Sequence, residues 1–319
     1  MTSFRRDDSN FLMLTGGLGN QLFQLSAGLY FSPDKKLTIL SKLGFPRTNK
    51  FGMPDIDDYL LPRAIFINSS KERNWLTSKF SSYYLRSGAE KYSKSIKTKF
   101  VNSTAKVLIR LYIRRRVSFI QGKGVGFTEI VSESRENILI GYFQSFRYFA
   151  NEDVKKSMLA MTLKSPSLIL DQYRKFAEIE IPLIVHVRLG DYRFEPKIGI
   201  PKKNYYETAI RKMISEGTFK RIWLFSDEPG EARNYVPSDL LEITRVIPTD
   251  IGSPADTLEL MRLGAGYVLS NSSFSWWGAN LSHSLNPSVI CPTPWFKGMD
   301  EPIDIVPESW TRVRAWESD

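Results

Sequence analysis

The stretch FLMLTGGLGNQLFQLSAGLYF, residues 11–31, gives the clearest indication of the fold. Phe11–Leu14 is a short apolar run that predicts a strand, and it leads directly into a glycine-rich turn. From Gln21 to Phe31 the apolar side chains recur near helical spacing, which predicts a helix. A strand, a glycine loop and a helix in this order are a common beginning of an α/β domain.

The second half of the chain alternates between strand-like and helix-like segments. Strands are predicted at residues 181–188, 221–225, 241–246, 267–269 and 289–291, and helices at 205–215, 255–263 and 276–285. In the first half we predict a strand at 137–141, a helical region at 151–180, and loops with short elements at 32–62. Strands that alternate with helices predict a mostly parallel sheet.

The charge of the 319-residue chain is unevenly distributed, which favours two domains. Residues 1–165 hold 27 lysines and arginines against 13 acidic residues, a net charge of +14. Residues 166–319 hold 17 against 21, a net charge of −4. We therefore predict one domain at 1–165 and a second at 166–319. A basic half suits nucleic acid, anionic lipid or phosphorylated ligands.

Several classes of protein are disfavoured by composition. A lone cysteine, Cys291, forms no internal disulfide, and two histidines do not build a multi-histidine metal site. No run of about 20 apolar residues predicts a membrane span. Acidic residues directly after Arg5 and Arg6 argue against a signal peptide. We expect a cytoplasmic protein.

The most basic region lies at residues 91–116, and its part from Val107 onward has the pattern of an amphipathic helix. One interpretation is a solvated helix face. The other is a patch for an anionic membrane surface or a lipid-linked ligand, which would place the protein at the inner face of the membrane.

The first segment whose residue types indicate ligand binding is Gly16–Gln24, GGLGNQLFQ. Glycines between a strand and a helix let backbone amides approach a ligand, and a helix N-terminus favours negative charge. The glycine spacing is neither that of the dinucleotide fingerprint nor that of a Walker loop. A tight turn without a ligand is the alternative.

The second segment is Ile181–Tyr192, IPLIVHVRLGDY, in which an apolar strand ends in polar residues. His186 and Arg188 are two residues apart and therefore face the same side of the strand. Ligands of open α/β sheets lie outside the carboxyl ends of strands, and an arginine there suits phosphate oxygens. The alternative is a structural ion pair between Arg188 and Asp191.

The third segment is Ser270–Ala279, SNSSFSWWGA, which follows a predicted strand and opens a helix. Hydroxyls and free amides at a helix N-terminus form a cradle for a diphosphate. Simple capping by one serine is the alternative, although capping requires only one such residue.

Other polar residues receive weaker interpretations. Ser226 and Asp227 end a predicted strand, where Asp227 is a candidate ligand of guanine or ribose, or else a strand-end cap. Asp256 is interpreted as a helix cap. Asp55-Ile56-Asp57 has the Asp-x-Asp pattern of a metal site but follows Met53-Pro54 and not a strand, so we interpret it as a loop. His283 is interpreted as a packed or exposed side chain and not as a ligand. For Trp276 and Trp277 the core and a sugar-stacking surface are both open.

Taken together, the three segments resemble glycosyltransferase family 11, the alpha-1,2-fucosyltransferases. The matching motifs are GGLGNQLFQ, HVRLGDY and SNSSFSWWGA, supported by GYFQS at 141–145 and PWF at 294–296. The resemblance runs from residue 16 to about residue 296 and so covers nearly the whole chain.

The resemblance implies a GT-B-like fold of two Rossmann-type α/β domains facing across a cleft. It also implies GDP-fucose as the donor, inversion at the anomeric carbon, and no metal or other cofactor. The second domain would bind the donor and the first the acceptor. Arg188, His186 and Asp191 are carried over as the catalytic set. The expected donor-binding residues are Gly17, Gly19, Asn20, Ser226, Asp227, Asn271, Ser272, Ser273, Phe274 and Ser275.

The expected reaction is transfer of L-fucose to a sugar hydroxyl, the 2-hydroxyl of galactose, on an oligosaccharide or a lipid-linked glycan. Asp191 and Glu195 are candidate bases, and positioning alone is an alternative. Two positions depart from the family pattern: Leu189 stands where a second arginine is common, and Asn280 where tryptophan is frequent. A non-catalytic sugar- or nucleotide-binding protein and a different linkage stay open. A nucleic-acid-binding protein is disfavoured because the phosphate-type motifs lie in the acidic half.

Overall fold

The computed structural model describes residues 9–61, 64–67, 117–122, 125–129 and 136–316. The chain divides into two compact units, unit 1 at Met1–Met161 and unit 2 at Thr162–Asp319. This division falls four residues before the predicted boundary after residue 165. The basic region 91–116 lies outside the described residues, so its interpretations stay predictions.

Unit 1 is built on one parallel sheet. The described strands of that sheet are β1 (Ser9–Gly16), β2 (Lys36–Pro46), β4 (Ala64–Ile67), β5 (Val117–Gln121) and β6 (Glu136–Ile140), and the short strand β3 (Tyr59–Leu60) lies outside it. The described helices are α1 (Leu18–Tyr30), α2 (Phe146–Phe149) and α3 (Glu152–Leu159). The strand order is β4-β2-β1-β6-β5, and all of these pairs are parallel.

The predicted strand–glycine loop–helix at the start of the chain is present as β1 and α1. Leu12, Leu14, Phe23 and Leu25 are almost fully buried between the sheet and the helix. Met13, which faces the other side of β1, is buried as well, and burial on both faces is what a parallel sheet requires. It explains why β1 is a continuous apolar run without alternation.

The prediction of loops with short elements at 32–62 was wrong, because 11 of these residues form β2. Proline, glycine and lysine residues lie within and around this segment, so it lacks the continuous apolar pattern from which a strand is predicted. Parallel pairing with both β1 and β4 overrides the weak local preference. The helical region predicted at 151–180 is divided into two helices by β7 (Thr162–Leu163).

Unit 2 carries a six-stranded parallel sheet. Its strands β8 (Pro182–Val187), β9 (Arg221–Ser226), β10 (Thr244–Val246), β11 (Gly266–Val268), β12 (Ser288–Thr293) and β13 (Thr311–Arg314) have the order β10-β9-β8-β11-β12-β13. Each pair is parallel. The helices are α4 (Leu168–Glu180), α5 (Lys203–Glu216), α6 (Pro229–Ala232), α7 (Pro254–Met261) and α8 (Ser273–Asn280).

The α/β fold class is confirmed, with two units that each contain a parallel sheet. In unit 2 every predicted strand has an observed counterpart, whereas β13 was not predicted. Helix α8 begins at Ser273, earlier than the predicted residue 276, because Ser272 caps it. Within the ranges described above, no helix combines the length and apolar character needed to cross a bilayer.

Candidate active site

Strand β8 lies in the middle of the unit 2 sheet and delivers the HVRLGDY motif to its carboxyl edge. All six residues of β8 are buried, between β9 on one side and β11 on the other. Leu189 is fully buried in the apolar core, on the opposite face from Arg188. The side chains therefore continue to alternate between the two faces of the sheet just beyond β8, as predicted. Leu189, which departs from the family pattern, does not disturb the polar face that carries Arg188.

Arg188 is held by two carboxylates at this strand end. Its Nε donates to Oδ1 of Asp191 at 3.0 Å, and Nη2 lies 2.8 Å from the same oxygen. Its Nη1 lies 3.3 Å from Oδ2 of Asp227. The structural ion pair considered as the alternative is thus formed. These contacts fix the orientation of the guanidinium. Because the arginine side chain is 23% exposed, a ligand can still reach it.

Asp227 does more than end strand β9. Its Oδ1 accepts the backbone N–H of Leu189 at 3.0 Å, while Oδ2 faces Arg188. A Cβ at Gly190 would lie 2.4 Å from this same Oδ2, so any larger residue would require the carboxylate or the turn to shift. Asp227 is therefore not an exposed strand-end cap, since its side chain is only 22% exposed, and its role toward a ligand stays a prediction. Asp227 organises the turn that carries Arg188. The neighbouring Ser226 accepts the backbone N–H of Glu228 at 3.0 Å.

His186 is a buried, neutral side chain. It is 5% exposed, and its Nδ1 lies 2.8 Å from Oγ of Ser270 at the end of β11. Burial, with a further contribution from the charge of Arg188, lowers the pKa of His186 to about 3. The imidazole is therefore uncharged at neutral pH and is a poor general acid or base there. Its contact with Ser270 joins two strand ends of the site.

The serine-rich segment forms the N-terminus of α8. Ser272 is the cap and accepts the N–H of Phe274 at 3.3 Å, and the Ser275 hydroxyl donates to the Ser272 carbonyl at 3.2 Å. The capping alternative is therefore realised by one serine. Ser273 and Phe274 are only half-buried, so the first turn of the helix reaches the surface. The Phe274 ring lies 6.3 Å from the imidazole of His186.

Asn271 is the most unusual polar residue of the segment. Its Nδ2 donates to the carbonyls of Ile198 and Gly199 at 2.9 and 3.1 Å, whereas its buried Oδ1 has no hydrogen-bond partner. Leaving such an acceptor unpaired costs about 1–3 kcal/mol. A ligand hydroxyl or N–H that reached this oxygen after a small local adjustment would remove that cost.

Tyr192 was quoted in the motif but was not predicted as a site residue. Its hydroxyl donates to the Asn271 carbonyl at 3.3 Å, and its ring lies 5.7 Å from the Arg188 guanidinium carbon. Burial raises the pKa of Tyr192 to about 12, so the phenol stays protonated. Tyr192 thereby connects the β8 turn to the start of α8. The only indication of this role in the sequence is that Tyr192 lies two residues after Gly190, where an apolar strand ends in polar residues.

The carboxyl edge of unit 2 carries an excess of negative charge. Arg193 contacts Glu228 at 2.5 Å and Glu231 at 2.8 Å, beside the trio of Arg188, Asp191 and Asp227. These six side chains sum to a charge of −2. A ligand that brings hydrogen-bond donors as well as phosphates satisfies this edge better than a bare anion.

Three predicted donor-binding residues lie in unit 1. Gly17 is the N-cap of α1, and Gly19 lies buried in the first turn of that helix. Asn20 accepts from the side-chain amide of Gln144 at 2.8 Å. The other predicted site residues all lie in unit 2, where β8, β9 and the start of α8 bring them together. The roles assigned to all of these residues stay predictions.

The minor candidates behave largely as structural groups. Asp256 belongs to the capping box of α7, with Ser253 as the N-cap. Asp55 opens a 3-10 turn at Asp55–Asp58, after Pro54, as a loop interpretation requires. Trp276 and Trp277 are fully buried, so they are core residues and not a stacking surface. His283 is half-exposed, with Nε2 4.0 Å from Glu259.

The part of the chain that the structure describes contains no cluster of three acidic, histidine or cysteine side chains suited to a metal ion.

Comparison with known proteins identifies a family whose model matches this chain. Residues 90–311 match the model of glycosyl transferase family 11. An alpha-1,2-colitosyltransferase of Escherichia coli is 26% identical over 316 residues, covering 94% of this chain and 97% of the relative. The O-antigen biosynthesis glycosyltransferase WbnK of Escherichia coli is 25% identical over 320 residues, covering 94% and 99%. The crystal structure of the fucosyltransferase NodZ from Bradyrhizobium aligns with 87% of this chain and 93% of its own, at 14% identity and a TM-score of 0.49.

Proposed function

The chain belongs to glycosyl transferase family 11 and is a glycosyltransferase, and from this premise we propose that it transfers L-fucose from GDP-fucose with inversion and without a metal ion. The acceptor is a sugar hydroxyl, the 2-hydroxyl of a galactose, on a glycan or a lipid-linked oligosaccharide. The observation that carries the proposal is the Arg188 guanidinium, fixed by two carboxylates at the end of β8 and joined through Tyr192 to the start of α8.

Arg188 stabilises the charge that forms on the leaving diphosphate. Breaking the bond between the sugar and the β-phosphate leaves negative charge on the phosphate oxygens. A fixed guanidinium meets that charge without having to reorganise, and backbone amides of the first turn of α8 add to it. Removing one preorganised donor of this kind typically costs on the order of 100-fold in rate.

The carboxylates around Arg188 hold it for this role. Asp191 and Asp227 approach different nitrogens, so the plane of the guanidinium is set before the donor binds. The carboxylates also suit the donor itself, because ribose hydroxyls and the N–H groups of guanine are hydrogen-bond donors. A guanosine diphosphate thus supplies both kinds of partner that this edge requires.

The acceptor hydroxyl must lose a proton during an inverting displacement. His186 is unsuited because it is buried and neutral. Asp191 is 60% exposed but paired with Arg188, whereas Glu195 lies exposed at the end of the following turn. Glu195 is therefore the better candidate base in unit 2, with positioning of the acceptor as the competing account.

A second donor sugar is favoured by one comparison. The relative named alpha-1,2-colitosyltransferase matches nearly the whole chain, and colitose differs from fucose by the loss of one ring hydroxyl. Fucose and colitose donors would share the nucleotide contacts described above. A binding protein without transfer activity is the other alternative.

The test is incubation of the protein with GDP-fucose, or with GDP-colitose, and galactose-ended acceptors, in parallel with a divalent cation and with EDTA. We expect a fucosylated product, identified by mass spectrometry with linkage analysis. Transfer from the colitose donor alone would favour the second candidate. Donor binding without product would favour a binding protein, and activity lost in EDTA would contradict metal independence.

Contact with a membrane surface is a separate proposal, based on the basic region 91–116. Its test is co-sedimentation with vesicles containing anionic lipid at low and high salt. Salt-sensitive binding supports a peripheral location and a lipid-linked acceptor, and the absence of such binding contradicts it.

A further inference from the structure

The segment GYFQS, residues 141–145, directly follows β6 and has no part in the chemistry described above. Strands β6 and β1 are parallel neighbours in the unit 1 sheet. The segment and the glycine turn after β1 therefore leave the sheet side by side, at the carboxyl edge where ligands of parallel α/β sheets lie. A side chain of GYFQS can thus act on the residues of the glycine turn.

Close packing fixes the backbone of this segment. A Cβ at Gly141 would lie 2.9 Å from the Cα of Gly122, so the two backbones are in contact. Phe143 is fully buried, with a left-handed φ of 51°. Gln24 adds an anchor, because its Nε2 donates to the Gly141 carbonyl at 3.0 Å while its Oε1 accepts the Thr15 N–H at 3.0 Å. The residue that follows Phe143 therefore extends from a fixed backbone.

That residue is Gln144, and its side chain contacts Asn20 in the first turn of α1. Nε2 of Gln144 donates to Oδ1 of Asn20 at 2.8 Å. The Gln144 backbone is held as well, since its carbonyl accepts the Gly126 N–H at 2.9 Å. Both side chains are partly buried, so the contact is shielded from water but still lies near the surface. The protein itself therefore occupies the oxygen end of the Asn20 amide.

The nitrogen end of the Asn20 amide is left as a donor. A Cβ at Gly16 would lie 2.5 Å from Nδ2, so the amide lies directly against the Gly16 backbone. Among the residues that the structure describes, none accepts a hydrogen bond from this nitrogen. An amide nitrogen of asparagine carries two N–H donors and accepts no hydrogen bond. The orientation set by Gln144 thus offers N–H groups to a ligand oxygen.

We propose that Gln144 is a positioning residue, which holds the Asn20 amide in the orientation that donates to an oxygen of a substrate. The inference rests on the proposed function, because the substrate is the nucleotide or the acceptor sugar of that reaction. Phosphate oxygens and sugar hydroxyls both accept N–H donors, so the experiment separates the two. Gln144 acts through Asn20 and does not itself contact the substrate.

The main variant is Gln144→Glu, which keeps the size of the side chain but cannot donate to Asn20. The Asn20 amide must then turn over to donate to the carboxylate, which leaves its own oxygen facing the substrate oxygen. We expect kcat/KM to fall about tenfold, because an acceptor then meets an acceptor. The matched control is Gln121→Glu, which adds the same charge at the exposed carboxyl end of β5 and should retain wild-type activity.

A second variant approaches the same contact from the other side. Asn20→Asp still accepts from Gln144 but has lost both N–H groups, so its kcat/KM should fall at least as far. A double-mutant cycle with Asn20→Ala then separates positioning from structural support. If Gln144 acts through Asn20, Gln144→Glu has no further effect on kcat/KM once residue 20 is alanine.

Calorimetric titrations identify the substrate oxygen without any turnover. GDP and a galactose-ended oligosaccharide are titrated separately into wild type, Gln144→Glu and the Gln121→Glu control. A weaker affinity of Gln144→Glu for GDP indicates a phosphate oxygen, and a weaker affinity for the oligosaccharide indicates a sugar hydroxyl. Thermal unfolding confirms that each variant is folded.

Equal kcat/KM of Gln144→Glu and wild type would overturn the inference. So would an equal loss with and without the Asn20 side chain, since the effect would then not pass through Asn20. A wild type that transfers no sugar contradicts the proposed function, and the two affinities then decide the inference separately. It stands if Gln144→Glu weakens either affinity and fails if it weakens neither.

Discussion

The Arg188 guanidinium lies 3.3 Å from the carboxylate of Asp227, and the other oxygen of that carboxylate accepts the Leu189 N–H at 3.0 Å. The side chain that directly follows β9 thus fixes both the cation after β8 and the backbone next to it. Because the two strands are neighbours in the sheet, this relationship is set by the fold and does not depend on a ligand.

Replacement of Asp227 is the first test of this relationship. Asp227→Asn removes the charge facing Arg188 but can retain the acceptor for the Leu189 N–H, so we expect a roughly tenfold loss of kcat/KM. Asp227→Ala removes both contacts and should cost about 100-fold. The matched control is Asp239→Asn, which breaks an exposed ion pair with Arg211 and should have almost no effect. Equal activity of Asp227→Ala and wild type would contradict the positioning role.

Gly190→Ala tests the same turn by steric means. The new Cβ would lie 2.4 Å from the Asp227 carboxylate, so either the turn or the carboxylate that contacts Arg188 must shift. We expect at least about a tenfold fall in kcat/KM, since small displacements of a preorganised group are costly. Gly230→Ala has open space around the added carbon and serves as the control. The measurement is steady-state kinetics, together with thermal unfolding to exclude global destabilisation.

The burial of His186 predicts how stability responds to acid. Its pKa in the folded chain, about 3, lies below the ordinary value of 6.5. The unfolded state therefore binds more protons between these values, and stability falls as pH drops below about 6.5. The slope from this one group is at most about 1.4 kcal/mol per pH unit. Denaturant titrations from pH 4 to 8 should show a shallower slope for His186→Gln; an unchanged slope would contradict a buried, neutral imidazole.

Asp55 in unit 1 predicts a dependence of the opposite sign. Burial raises its pKa from 3.8 to about 6, against the opposing charge of Arg47, while the neighbouring Asp58 raises it further. The folded state then binds more protons than the unfolded state between these values. Stability from this group is full below about pH 4 and declines as pH rises toward 6.

The measurement is the difference in unfolding free energy between wild type and Asp55→Asn at pH 4 and pH 7. We expect Asp55→Asn to become more stable relative to wild type as pH rises. The reason is that the asparagine amide stays neutral, whereas ionised Asp55 is a buried charge. Asp34→Asn, an exposed position in the same unit, provides the control. A difference that does not change with pH would show that Asp55 is not buried as described.

Much of the unit 2 site could be predicted from the sequence, because its residues lie in continuous motifs. The apolar run into His186 and Arg188 identified β8, and serines after a second strand identified the start of α8. The contact between Arg188 and Asp227 could not be predicted. It joins the residues that directly follow β8 and β9, and the adjacency of these two strands is known only once the order of the sheet is known.

Other features were hidden by local composition. Strand β2 carries lysines, a glycine and a proline, and only its parallel partners make it a strand. For Trp276 and Trp277 the sequence left the core and a sugar-stacking surface both open, and the structure decides for the core because both side chains are fully buried. Phe51 follows Lys50 and precedes Gly52 in a stretch without periodicity. In the structure its backbone N–H donates to the Asn49 side chain, a contact that no periodicity indicates.

The most direct test of the central claim is the rate of GDP release from GDP-fucose, with acceptor present, for Arg188→Ala and Arg188→Lys. If a fixed guanidinium bears the charge of the departing diphosphate, Arg188→Ala loses on the order of 100-fold or more in rate. Arg188→Lys recovers only part of that loss, because a lysine lacks the planar fork. An Arg188→Ala protein that releases GDP as fast as the wild type would contradict the account.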